Sequence, residues 1–253
     1  MNKVAILAGM VAGSLLLGTL VVVGGDLMKA PSPAASQASG APTGTGLPWQ
    51  IEALPGGASR VMGLTLSRGP EASTLADARR LFGNEVPMAI IAAPGEDGSL
   101  EAFVDPAQLG FVSGKLVITA RLDAATLKGL RERAPKSDYM ESATRKYTLS
   151  PADEALALKA PIAALSFIPQ ARLDADAILS RFGTPARRVK SNGHLEHFLY
   201  PDKGLDVILD TEGKELLQYV SPADFARLSA PLEASNAPSA PAPTASTEQP
   251  PPP

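Results

Sequence analysis

Cysteine is absent from the 253 residues, and histidine occurs only at His194 and His197. The missing thiols exclude disulfides, thiolate metal sites, a cysteine nucleophile and a lipid-modified N-terminal cysteine. Two imidazoles are too few for a multi-histidine metal centre. A net charge of -3, from 23 basic and 26 acidic residues, supplies no basic footprint for nucleic acid. The sequence has no Gly-x-Gly-x-x-Gly or Walker loop, so nucleotide use has no support. Nor has it a Gly-x-Ser-x-Gly elbow, which leaves Ser–His–Asp chemistry only an unusual layout. No cofactor or metal is expected.

What is present begins with an apolar run. Val4 to Val23 carries no charge over 20 residues, and a helix of that length spans about 30 Å, the hydrocarbon thickness of a bilayer. The run exceeds the core of a cleaved signal peptide, so residues 4–23 read as a transmembrane signal anchor; cleavage near Ala30, Ala35 or Ala38 is the alternative. Lys3 and the terminal amine favour a cytoplasmic N-terminus and a periplasmic body, with the chain held once in a bacterial inner membrane. Gly9-x-x-x-Gly13 and Ser14-x-x-x-Gly18 would let two spans approach in weak self-association. Residues 24–47 and 233–253 are rich in Ala, Pro, Ser, Gly and Thr, a composition too polar to offset ordering entropy. They read as a disordered linker and a Pro-rich tail.

Between them the chain resembles itself. Val61–Leu66 and Ile162–Phe167 suit strands, and each precedes a helical segment with a polar start, Leu75–Phe82 and Ala175–Phe182. Both helices end in Phe-Gly, the left-handed cap signal. Leu100–Pro106 then matches Leu195–Pro201, and Gly114-Lys115 matches Gly213-Lys214, each taken as a turn. Ser150-Pro-Ala-Asp153 matches Ser221-Pro-Ala-Asp224, a helix start with a capping serine and a proline in the first turn. The expected fold is α+β: two tandem units, 48–160 and 161–232, each a small antiparallel sheet with packed helices. The first carries an extra helical segment, Ala124 to Arg133.

The stretch from Leu173 to Val220 resembles the small SmpA/OmlA-type envelope domain, which is also the unit seen in tandem in β-lactamase inhibitor proteins. Arg181-Phe-Gly-Thr-Pro185, Phe198-Leu-Tyr200, Gly204–Ile208 and Gly213 carry the resemblance. It implies helices on one face of an antiparallel sheet, acting by protein–protein contact in the bacterial envelope. The lipid-bearing cysteine of the first family and the disulfides of the second are missing.

Candidate chemistry is sparse. On a strand, His194 and His197 would point to opposite faces and share no metal. Asp206 and Asp210 read as one solvated sheet face. The expected function is a membrane-tethered periplasmic interaction module, an envelope adaptor or assembly factor without catalysis, whose partner is another envelope protein. Its contact residues are assigned to a basic hairpin tip, Arg187, Arg188 and Lys190. The alternative is a cell-wall glycan hydrolase, or its regulator, using carboxylates such as Glu101 and Glu196. Trp49 is expected to pack where the linker meets the domain.

Overall fold

The computed structural model describes residues 46–140, 143–191 and 193–236. The expected span at 4–23, nearly all of the linker and the tail beyond 236 lie outside them. Strands β1 (Glu52–Leu54), β2 (Ala58–Val61) and β3 (Leu64–Leu66) form a three-stranded antiparallel sheet. The remaining strands are β4 (Met88–Ala92), β5 (Ser99–Leu109), β6 (Val112–Ala120), β7 (Lys136–Tyr139), β8 (Arg145–Thr148), β9 (Ile162–Pro169), β10 (Arg187–Lys190), β11 (Leu195–Tyr200), β12 (Leu205–Asp210) and β13 (Leu216–Val220). They form one ten-stranded sheet in the order β10-β11-β12-β13-β9-β6-β5-β4-β8-β7, antiparallel throughout. The α+β class is as expected. The separate small sheet for each half is not: β9 hydrogen-bonds to β13 on one side and β6 on the other, so both halves share one sheet.

Helices α1 (Leu75–Phe82) and α4 (Ala175–Phe182) fall on the residues expected of them. Thr74 caps α1 in a reciprocal capping box with Asp77, and Asp174 caps α4 by accepting from the Ala177 N–H. Gly83 and Gly183 leave both helices at φ 104° and 81°, a region side chains avoid. Helix α2 (Ala124–Glu132) is the extra segment, and α3 (Pro151–Ala157) starts at Ser150, whose side chain accepts from the Asp153 N–H. Helix α5 (Phe225–Asn236) runs past residue 232, the end expected of the second unit.

Two local expectations fail for stated reasons. Val61–Leu66 is not one strand: Met62 and Gly63, at φ 53° and 76°, turn the chain between β2 and β3. Gly114 lies inside β6 rather than in a turn. A Cβ there would sit 2.4 Å from the Ile168 carbonyl and 2.6 Å from the Phe167 ring, so glycine is required by the close approach of β9.

The sheet has two unlike faces. On one, the buried side chains of α1, α2, α3 and α4 join Leu64, Leu66, Ile90, Leu100, Ile118, Leu165, Phe167, Phe198 and Val207 in the main core. On the other, α5 lays Phe225, Leu228 and Leu232 against Ala164, Leu199 and Val220. Trp49 packs on the domain as expected, 5.9 Å from the Phe111 ring and under the Arg181 guanidinium at 4.3 Å. Among the described residues no helix is long and apolar enough to cross a membrane.

Candidate functional site: the basic edge strand and two histidine–aspartate pairs

Strand β10 ends the ten-stranded sheet. Arg187, Arg188 and Lys190 are therefore residues of an edge strand, not of a hairpin tip, which begins only at Ser191. The Ser191 N–H bonds to the Leu195 carbonyl at 3.3 Å. In an antiparallel ladder the bonded residues recur at every second position, so Val189 and Arg187 also face β11. The main-chain groups of Arg188 and Lys190 point away from the sheet. Such an edge can accept a further strand.

Alternation sends the side chains to both faces. Arg187 meets Glu233 of α5 at 3.2 Å, and Val189 packs beside the Leu199 and Leu232 cluster. On the helix-rich face Arg188 stacks on Phe198 at 4.5 Å and pairs with Glu196 at 3.0 Å. Lys190 makes no ion pair among the described residues. Together Arg187, Arg188, Val189, Lys190, Leu232 and Glu233 line an open groove of about 370 Å³. Its rim holds three cations against one carboxylate.

Next to this edge, Asp206 and Asp210 prove to be buried rather than solvated, at 1% and 8% exposure. His197 Nδ1 lies 2.7 Å from Asp206 Oδ2, and His194 Nδ1 lies 2.9 Å from Asp210 Oδ1. The imidazoles do not diverge to opposite faces. His194 precedes β11, where alternation no longer applies, and its ring reaches the face that carries both aspartates. Each histidine keeps its own aspartate, and among the described residues no cluster of three or more His, Asp or Glu could hold a metal. Burial pushes the Asp206 carboxyl up, against the hydrogen bond and charge of His197, which lower it. Burial also raises Asp210, but bonds from His194 and from the Glu212 and Gly213 N–H groups bring it below its ordinary value.

A third side chain completes the first pair. Ser191 Oγ lies 3.0 Å from His197 Nε2, so Ser191, His197 and Asp206 form a continuous hydrogen-bonded chain. The sequence reading missed it by taking the histidines alone. The available signal was the hairpin about the Pro201–Gly204 turn: folding there lays 197 against 208 and 199 against 206, so His197 and Asp206 become diagonal neighbours on one face, while Asp210 falls opposite Leu195, next to His194.

The carboxylates Glu101 and Glu196 are not brought together. They lie on β5 and β11, five strand steps apart in the sheet order, or about 24 Å. Glu196 is held by Arg188, and Glu101 is buried beside the Ser99 hydroxyl, 2.7 Å away. Burial raises the Glu101 carboxyl to about 7, the Ser99 bond only partly opposing it.

Comparison with family models, with curated proteins and with solved structures returns no match. The functional reading therefore rests on the site.

Proposed function

We propose that this chain is a membrane-tethered periplasmic interaction module, an envelope adaptor or assembly factor, which takes an extended acidic segment of another envelope protein along β10. The observation that carries the reading is the edge itself. Arg188 and Lys190 direct their main-chain groups outward, and three cations stand along four residues beside an open groove. An added strand would gain main-chain hydrogen bonds from the edge and charge complementarity from its side chains. The uncharged run at 4–23 would hold the body at the inner membrane, and the linker would give it a reach of about 25–30 Å.

The body is read as two related units, 48–160 and 161–232, the second of them SmpA/OmlA-like. A shared constellation supports this relation. Ser150 Oγ donates to Asp153 at 2.7 Å, and Ser221 Oγ donates to Asp224 at 2.7 Å. Each aspartate is also met by an arginine at 2.7 Å, Arg133 in the first case and Arg68 in the second. The helix followed by the meander β10-β11-β12-β13 fits the envelope-domain resemblance. The glycan-hydrolase alternative loses its pair, since Glu101 and Glu196 lie too far apart to flank one bond.

Crosslinking in intact membranes followed by purification of the full chain tests the proposal. A stoichiometric envelope protein that is released by salt, and lost when Arg187, Arg188 and Lys190 are changed to Ser, is the expected result. Glycan release that disappears in Glu101→Gln or Glu196→Gln would overturn it. Protease added to spheroplasts should remove the body; survival of the full-length chain would contradict the topology.

A further inference from the structure

We propose that Ser191, His197 and Asp206 constitute a nucleophilic acyl-transfer site that accepts esters, with Ser191 as nucleophile, His197 as general base and Asp206 as the positioning residue. The geometry is that of an activated hydroxyl. Ser191 Oγ to His197 Nε2 is 3.0 Å and His197 Nδ1 to Asp206 Oδ2 is 2.7 Å, both within the range for proton transfer between a nucleophile, its base and the orienting carboxylate. The carboxylate at Nδ1 fixes the tautomer, leaving Nε2 as the acceptor that faces the hydroxyl. Burial is graded in the sense such a relay needs. Asp206 is 1% exposed, His197 is 7% exposed, and Ser191 is half-buried at the start of the hairpin tip. Two residues on, a Cβ built at Gly193 would meet no atom within 4 Å. Among the described residues the other Asp206 oxygen, Oδ1, has no hydrogen-bond partner, and His197 is the group that bonds the carboxyl. A solvated surface serine needs none of these relations. The two ends of the relay come from β12 and from beyond β10, and β11 between them carries the imidazole.

The reaction follows from these atoms. Ser191 Oγ attacks the ester carbonyl carbon while its proton passes to His197 Nε2. The carbonyl π pair moves to oxygen and then returns, breaking the bond to the leaving oxygen, which takes the proton from Nε2. Water then attacks the acyl group, gives a proton to Nε2, and the acid leaves as that proton returns to Ser191 Oγ. Nothing is oxidised or reduced.

The test uses the folded full chain with a fluorophosphonate and with p-nitrophenyl acetate. One phosphonyl group should be found on Ser191 by peptide mass, with fluoride lost, and ester turnover should disappear in Ser191→Ala. His197→Gln should slow labelling at least about 100-fold, the contribution of a general base. Wild-type labelling should rise with pH along a single sigmoid, since a general base must be unprotonated to accept the serine proton. Asp206→Asn should displace that sigmoid and slow labelling while the melting transition is retained. If His197→Gln fails to fold, the wild-type pH profile decides. No label on Ser191, a labelling rate independent of pH, or unchanged labelling in folded His197→Gln would each overturn the site.

Discussion

Arg188 lies over the face of Phe198, its guanidinium carbon 4.5 Å from the ring centroid, and its Nε donates to Glu196 Oε1 at 3.0 Å. Of the three basic residues on β10, it is therefore the one whose guanidinium is held by both a ring and a carboxylate. Lys190 has no ion pair among the described residues and is free to meet a partner. Arg188→Ser should cost up to about 1 kcal/mol of stability, a partly exposed cation–π contact and ion pair together. Lys190→Ser should stay within about 0.5 kcal/mol. Denaturant titration of the two variants checks the difference, and equal losses would place Lys190 in an unseen structural role.

The phenylalanines that end α1 and α4 are not equivalent. Phe182 is 2% exposed and stands 6.1 Å from the Tyr200 ring, whereas Phe82 is only partly buried against the same core. Phe182→Ala should cost about 3–5 kcal/mol, the usual loss for a buried ring. Phe82→Ala should cost clearly less. A reversed order in thermal or urea unfolding would contradict the packing described.

Glu101 gives the fold a pH dependence of known sign. Its folded carboxyl titrates at about 7 against an ordinary 4.5, raised by burial. Between those values the native state keeps a proton that the unfolded chain has lost, so stability falls as pH rises through that window. The full cost above pH 7 is on the order of 3 kcal/mol, from the conversion of one unit to about 1.4 kcal/mol. Glu101→Gln should flatten the decline and make the protein more stable at pH 8. Parallel pH profiles for the two proteins would rule the residue out as its source.

What could be read in the sequence was local. Helices α1 and α4 announce themselves through Thr74 and Asp174 at the start and Phe-Gly at the end, all within a few residues of the chain. The β7–β8 hairpin had no such signature: Lys136-Ser-Asp-Tyr139 is mostly exposed and offers no apolar alternation. The single ten-stranded sheet depends on β9 joining β6 and β13, pairings 40 to 60 residues apart that local patterns do not encode. The same limit hid the site. Arg187, Arg188 and Lys190 were legible as a basic cluster, but their place on a sheet edge is a property of the strand order. Asp206 and Asp210 looked like a solvated face because alternation shows which side a residue takes, not that His197 and His194 cover it.

The claim that β10 receives an extended acidic strand is tested most directly by amide exchange, residue by residue, on the full chain. The probe is a soluble peptide of alternating Val and Glu, added at low ionic strength. The account predicts that the Arg188 and Lys190 amides, which point away from the sheet, gain protection when the peptide binds. The Arg187, Val189 and Ser191 amides, already committed to β11, should change little, and the new protection should fade as salt is raised. Peptide binding that leaves the Arg188 and Lys190 amides exchanging at their free rates, or no binding at low salt, would contradict it.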